Sequence, residues 1–395
     1  MPKQLLTYSA YSLPYFDHCD VLRYSMINYA VFSTDAKCLQ QSYKIKYMEK
    51  SGRRDFLRSS LLGAAVLNVE CLTGNPAPLL TSGYPLYDSG RNVWIASITE
   101  DGITGGNWKE AVQAAVKQAE NALPFSPDIY CFPEMFHVAQ LTGERPAVKD
   151  AAEDGSGRVI GPMQAFAKHH RCYVVCPVFT VENGNYYNAA ILIDRQGKVM
   201  GEYRKTHTTV SEMGKGVSPG PVDPPVFHTD FGTIGIQICY DIEWPDGWQK
   251  LVEKGAEIIF WPSAFAGGKK VNMRAWTNQV AVVSSTWKGT TKICDPLGND
   301  IIVSGIWSRW GVCAPVNLEK AVLHSWPDFE KFADIQKKYG RKVICYSLHE
   351  EELSVIESLS QDVKVKDILK EFDLKSYREV LGSDEKKQMS KRPGL

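Results

Sequence analysis

Three polar residues stand out by chemical type and setting: Glu134 in Cys-Phe-Pro-Glu-Met-Phe, Lys205 in Tyr-Arg-Lys-Thr-His, and Cys239 in Gly-Ile-Gln-Ile-Cys-Tyr-Asp. Each falls at or just after the end of a run that reads as a buried or paired strand. A thiol at a strand-to-helix corner can present its sulfur to a pocket, where a nearby cation lowers its pKa and favours the thiolate. A carboxylate buried beside it has its pKa raised by desolvation and can accept and return a proton. A lysine ammonium held opposite can stabilise a developing oxyanion without moving. Those are the three parts that acyl transfer through a thioester requires. Taken singly, each residue has a plainer use: Cys239 as a core thiol, Glu134 as a helix N-cap and Lys205 as a solvated loop charge.

Other chemistries find less support. No phosphate-binding loop and no HExxH motif is present, and His349-Glu350 lacks a second histidine. Cys172, Cys176, His169 and His170 form a loose cluster, but strand alternation puts both cysteines on one face, where core thiols are common. No metal is therefore expected at that cluster.

The elements that must position the three residues alternate. Apolar runs predict strands over 93–98, 128–132 and 172–176, and helices over 107–123, stopped by Pro124, and 163–170. A hairpin is expected over 186–194 and 199–203, with Gly197 in its turn. A buried strand over 233–239, a helix over 246–254 closed by Gly255, a strand over 257–261 and a helix over 271–283 follow. Later strands are expected over 291–294, 301–303 and 311–316, and the tail reads as charged helices around one strand at 342–348. Alternation on this scale points to an α/β sandwich whose strands deliver residues to one rim. No internal repeat of about 20–50 residues shows.

Composition limits the partners. The chain has 395 residues, 44% hydrophobic and 23% charged, enough for a sizeable core. Lys+Arg and Asp+Glu both number 45, so there is no global basic field to attract nucleic acid. No apolar run approaches the roughly 18–20 residues of a membrane span. The ten cysteines are scattered, without a paired framework. Residues 1–47 hold seven of the eighteen tyrosines and no readable period. Behind them, Arg53-Arg54, Phe56-Leu57 and a small apolar run at 59–67 resemble a twin-arginine export signal. That reading makes Met48 the start, residues 1–47 a non-native upstream extension, and residues 48–90 a signal and linker. It implies export to a bacterial periplasm. The alternative is an amphipathic helix with an accidental arginine pair in a cytoplasmic protein. Residues 91–320 are then the organised domain, and 321–395 a charged extension that could sit at an oligomer interface.

The words around Glu134, Lys205 and Cys239, in that order, resemble the three signature motifs of the nitrilase superfamily, the carbon–nitrogen hydrolases. Tyr187-Asn188-Ala, Gly216-Val-Ser-Pro-Gly220 and Trp261-Pro-Ser-Ala264 match as well, so the resemblance covers about 93–316. It implies a four-layer α-β-β-α sandwich, pairing into homodimers or higher homo-oligomers, and no cofactor. It also implies a second glutamate after the lysine, matched by Glu212, which would hold Lys205 or the substrate. The implied reaction attacks an amide carbon with Cys239, with Lys205 and the backbone N–H of Tyr240 binding the oxyanion. Trp261 and Phe265 are expected near the substrate, or else in the sandwich core. Tyr240-Asp241 after the cysteine favours a small amide or carbamoyl substrate. Nitrile hydrolysis or N-acyl transfer on the same fold are the alternatives, and a catalytically silent binding or assembly module is a reading of another class.

Overall fold

A computed structural model describes residues 90–155 and 157–393, all within one compact unit spanning Ser82–Leu395. The expected export signal, its linker and the tyrosine-rich segment lie outside the described residues.

Two six-stranded sheets pack face to face. The first has the order β12-β1-β2-β3-β4-β5, with β1 Asn92–Ile98, β2 Ile129–Cys131, β3 Tyr173–Glu182, β4 Asn185–Ile193, β5 Val199–Arg204 and β12 Gly311–Asn317. The second has the order β11-β10-β9-β8-β7-β6, with β6 Val226–His228, β7 Thr233–Ile236, β8 Ile258–Ser263, β9 Ala281–Thr286, β10 Lys292–Cys294 and β11 Asp300–Val303. In each sheet three parallel strands are followed by two antiparallel ones, with an antiparallel edge strand on the other side.

Strand alternation builds the layers. In β1, β2 and β8, Ile95, Ile129, Ile258 and Phe260 face the opposite sheet, whereas Ala96, Tyr130, Ile259 and Trp261 face helices. Helices α1 (Trp108–Ala119) and α4 (Ile160–His170) cover the first sheet through Ala111, Ala115, Met163 and Phe166. Helices α6 (Asp246–Glu253) and α7 (Lys269–Asn278) cover the second through Trp248, Leu251, Val271 and Ala275. The short helices α2 (Phe136–Ala139), α3 (Val148–Ala151) and α5 (Val210–Gly214) lie in the connections. This is the expected four-layer α-β-β-α sandwich. Local chemistry sets the ends. Asn107 caps α1 by accepting from the Glu110 N–H, and Gly255, at φ +89°, turns the chain after α6.

Three expectations are corrected. The helix expected over 271–283 stops at Asn278; Gln279 turns left-handed at φ 49°, and Ala281–Thr286 is a strand buried along its whole length. A parallel strand covered on both faces has no alternation to reveal it. The strand expected to reach Cys239 leaves the ladder at Ile236. The tail holds three strands instead of one: β13 Lys320–His324, β14 Val343–Leu348 and β15 Leu353–Ser358, in the order β13-β15-β14. One face of this small sheet packs Leu323, Val343 and Ile356 on helices α8 (Phe329–Tyr339) and α9 (Val365–Glu371). The other packs Val322, Leu353 and Val355 against Leu297 of the sandwich.

Phe260 fills the layer between the sheets and is fully buried, whereas Trp307 is 93% exposed. Phe260→Ala should therefore cost about 3–5 kcal/mol in denaturant unfolding. Trp307→Ala should stay within about 0.5 kcal/mol. Equal losses for the two would contradict this layering.

Candidate active site

Glu134 lies three residues beyond β2, Lys205 directly follows β5, Cys239 lies three residues beyond β7, and Ala264 directly follows β8. These strands belong to both sheets and end at the same rim. There the sheets are tied by the Ser285 hydroxyl, which donates to the carbonyls of Ile98 and Cys131 at 2.6 and 3.1 Å, and by the Glu100 N–H, which donates to the Thr286 carbonyl at 2.9 Å.

The four polar residues of the expected site converge. The Lys205 ammonium donates to Glu134 Oε1 at 3.1 Å and to both Glu212 oxygens at 2.9 Å. Glu134 Oε2 accepts the Ala264 N–H at 2.7 Å, and the Cys239 thiol lies near enough to both groups for each to act on its titration. Lys205 and Glu134 are each 1% exposed. Glu212 is held by a capping box: its N–H donates to Thr209 Oγ1 while its carboxylate accepts the Thr209 N–H. The Trp287 indole N–H donates to the Glu134 carbonyl and fixes that turn from the end of β9.

Cys239 adopts φ 48°, a left-handed conformation uncommon outside glycine, at the start of a 3-10 turn, Cys239–Glu243. Two groups hold it there. The Trp261 indole N–H donates to the Cys239 carbonyl at 3.0 Å, and Asp241 accepts the Ile238 N–H at 2.9 Å. Asp241, fully buried, also accepts from the Tyr203 hydroxyl at 2.7 Å and from the His207 N–H at 2.7 Å. It thereby ties the cysteine turn to the segment that follows Lys205.

The electrostatics correct one expectation. Burial first, and then the Glu134 carboxylate, push the Cys239 thiol well above its ordinary range; Lys205 and the Ala264 N–H oppose them without prevailing. This direction favours the thiol over the thiolate at rest. Burial works against the Lys205 ammonium, but Glu134 and Glu212 together hold it charged. Burial likewise opposes ionisation of Glu212, yet Lys205 and the Thr209 N–H keep its carboxyl below the usual range.

The remaining expected residues are placed less uniformly. Tyr240 is half-exposed, with its ring edge-on to Trp244 at 4.8 Å, and Phe265 is half-buried. Trp261 is fully buried among the residues under α6 and α7, so it braces the cysteine turn from behind, in the core position that was its other expected use. Asp241 is equally sealed, so its use as a marker for amide substrates is indirect. Cys172 and Cys176 are locked in the core under α1 and α4, whereas His169 and His170 line an open groove of about 930 Å³ between those helices. Among the described residues no group of three or more His, Cys, Asp or Glu is arranged to hold a metal ion.

One site residue had no role assigned from sequence. Asn188, fully buried on β4, donates from Nδ2 to Glu134 Oε1 at 2.7 Å and to Glu212 Oε1 at 2.8 Å. Its signal was an amide just ahead of the apolar run Ala-Ala-Ile-Leu-Ile.

The sandwich and the rim define a four-layer α-β-β-α architecture with its polar cluster at the shared strand ends. Residues 104–321 match the carbon-nitrogen hydrolase family, and the chain belongs to that family. A hydrolase encoded in the pqqF 5′ region of Pseudomonas protegens is 30% identical over 218 residues, 51% of this chain and 74% of that protein. Deaminated glutathione amidase of Synechocystis is 37% identical over 93 residues, 21% of this chain and 34% of the relative. Beta-ureidopropionase of Arabidopsis thaliana is 33% identical over 122 residues, 29% of this chain and 30% of the relative. The chain is thus matched to these two over about a third of their length. In fold it is similar to Saccharomyces cerevisiae Nit3, of branch 10 of the nitrilase superfamily, with a TM-score of 0.51 and 19% identity over 64% of this chain and 96% of that one.

The thiol's upward shift gives a test. Alkylation of Cys239 by a small neutral reagent should stay slow at neutral pH and rise only above the pH at which an ordinary cysteine reacts, about 8.5. Glu134→Gln removes the second cause of the shift and leaves Lys205 in place, so the midpoint should move down. Peptide mass mapping across pH reads this directly. A midpoint that stays or rises would show that Glu134 does not act on the sulfur.

Proposed function

We propose that the protein hydrolyses a non-peptide carbon–nitrogen bond in a small amide or carbamoyl compound through a thioester on Cys239. The observation that carries this reading is the buried contact of one thiol, two carboxylates and one ammonium at the rim. The names of the amidase and ureidopropionase relatives support the substrate class.

Because the thiol is favoured at rest, the proton must leave as the nucleophile attacks. Glu134 accepts the Sγ proton while sulfur bonds to the carbonyl carbon, and the carbonyl electrons move to oxygen. Lys205 and the Tyr240 N–H stabilise that oxyanion. Collapse breaks the carbon–nitrogen bond, and Glu134 returns its proton to the departing ammonia or amine. Water then attacks the thioester, giving a proton to Glu134 that finally returns to sulfur. Glu212 keeps Lys205 charged and oriented throughout. No step calls for a metal or an organic cofactor.

A panel of amides, N-carbamoyl amino acids and nitriles, read by released ammonia, tests the reading. Turnover should favour amides or carbamoyl compounds and vanish in Cys239→Ala. Lys205→Arg should lose about 10²–10³ in rate although charge is kept, since a guanidinium presents its donors in a different geometry. Hydrolysis by Cys239→Ala within tenfold of the native protein would overturn the thioester route, and preference for nitriles would overturn the substrate class.

A further inference from the structure

We infer that Asn188 is a positioning residue, a neutral double donor that clamps Glu134 and Glu212 around Lys205 and so sets the charge balance in which Cys239 loses its proton. The inference rests on the hydrolytic reading for its kinetic consequences, but its geometry stands apart from it.

The two protons of Asn188 Nδ2 meet the two carboxylates that also meet the Lys205 ammonium. Its main chain is engaged as well: the Asn188 carbonyl accepts the Lys205 N–H at 2.8 Å, in continuation of the pairing of β4 with β5. One residue therefore registers the lysine backbone and both of the lysine's counter-ions. The orientation of its amide follows from chemistry. Both neighbouring oxygens belong to carboxylates that otherwise accept from N–H donors, so the NH₂ group must face them and Oδ1 must face away. Oδ1 is buried with no hydrogen-bond partner among the described residues. An unpaired buried acceptor is costly, and a leucine of similar size would carry no such cost. The donor side of the amide is what the position requires.

Neutrality is the second part of the argument. The titratable groups facing this cluster are Glu134, Lys205, Glu212 and Cys239. Two carboxylates sharing one ammonium leave a net negative charge that repels itself in a site of low polarity. A cation at position 188 would cancel that repulsion, but it would also hold protons off Glu134, which must accept one from sulfur. A carboxylate would add a third negative charge. An amide supplies two hydrogen bonds to the pair and no formal charge.

Two substitutions separate these contributions. Asn188→Asp keeps the shape, removes the donors and adds a carboxyl; Asn188→Leu keeps the size and removes the donors alone. Thermal unfolding and circular dichroism identify a variant that has failed to fold, and the other variant then carries the test. The first readout needs no turnover: the pH midpoint for alkylation of Cys239. It should rise in Asn188→Asp and change less in Asn188→Leu. The second is kinetic. Both variants should lose at least about tenfold in kcat with KM within about threefold. In Asn188→Asp the acid limb of kcat/KM should also move to higher pH. Alkylation midpoints that coincide with the native protein's overturn the clamp, whether or not any amide is hydrolysed. A raised KM with native kcat also overturns it, because that pattern marks a substrate contact. Native protein that hydrolyses nothing while the midpoints shift as stated would refute the hydrolytic reading and leave the clamp intact.

Discussion

The Lys205 ammonium is almost sealed from water, and an isolated charge in that position would be expensive to bury. It persists because Glu134 and Glu212 each approach it within 3.1 Å. Breaking a buried pair on one side typically costs about 3–5 kcal/mol, since the remaining charge is left uncompensated. The three side chains therefore form a unit that is kept or lost together. Burial first, and then its surplus negative charge, favour the thiol form of the neighbouring sulfur, so that in the proposed reaction proton transfer and attack coincide.

The architecture makes that unit possible by joining two sheets at one edge. Glu134 and Lys205 follow strands of the first sheet, whereas Cys239 and the Ala264 N–H follow strands of the second. The apolar layer between the sheets fixes their separation. The hydroxyl of Ser285, reaching from β9 to the carbonyls of Ile98 and Cys131, fixes their relative height at the rim. Asp241 and Trp261 then hold the strained cysteine turn from inside the second half. Interior packing and the contact of Glu134 with Cys239 are consequently one structural problem, and a cavity between the sheets bears on the site even where no polar residue changes.

Much of this could be read from the chain, for identifiable reasons. Glu134, Lys205, Glu212 and Cys239 were legible because each sits in a distinctive word at the end of an apolar run. Strands β1, β2 and β8 were legible as short apolar runs between turn and helix signals, though not which face each side chain takes. Strand β9 did not, because Val280–Val283 is apolar on every side and continues the helical spacing of the residues before it. Of the small sheet of the extension only β14 was anticipated; β13 and β15 are short apolar runs flanked by charged residues, which masked them. Trp261 was left between substrate wall and core because sequence places a tryptophan near the cysteine without saying on which side of the turn it lies; its neighbour Phe260 takes the inner face and leaves it the outer one. The thiol's direction of shift was misjudged because motif reasoning sees the cation but not the depth of burial. Asn188 was visible only as part of a word, since what marks it is the company of two carboxylates brought from distant segments.

Rapid acid quenching of the native protein during turnover of an amide, followed by intact-mass measurement and peptide mapping, tests most directly whether carbon–nitrogen cleavage runs through Cys239. The predicted result is an acyl mass increment on the peptide containing Cys239 and on no other cysteine peptide, appearing as fast as ammonia is released. Turnover with no acylated peptide, or with the acyl group on another residue, would contradict the thioester route.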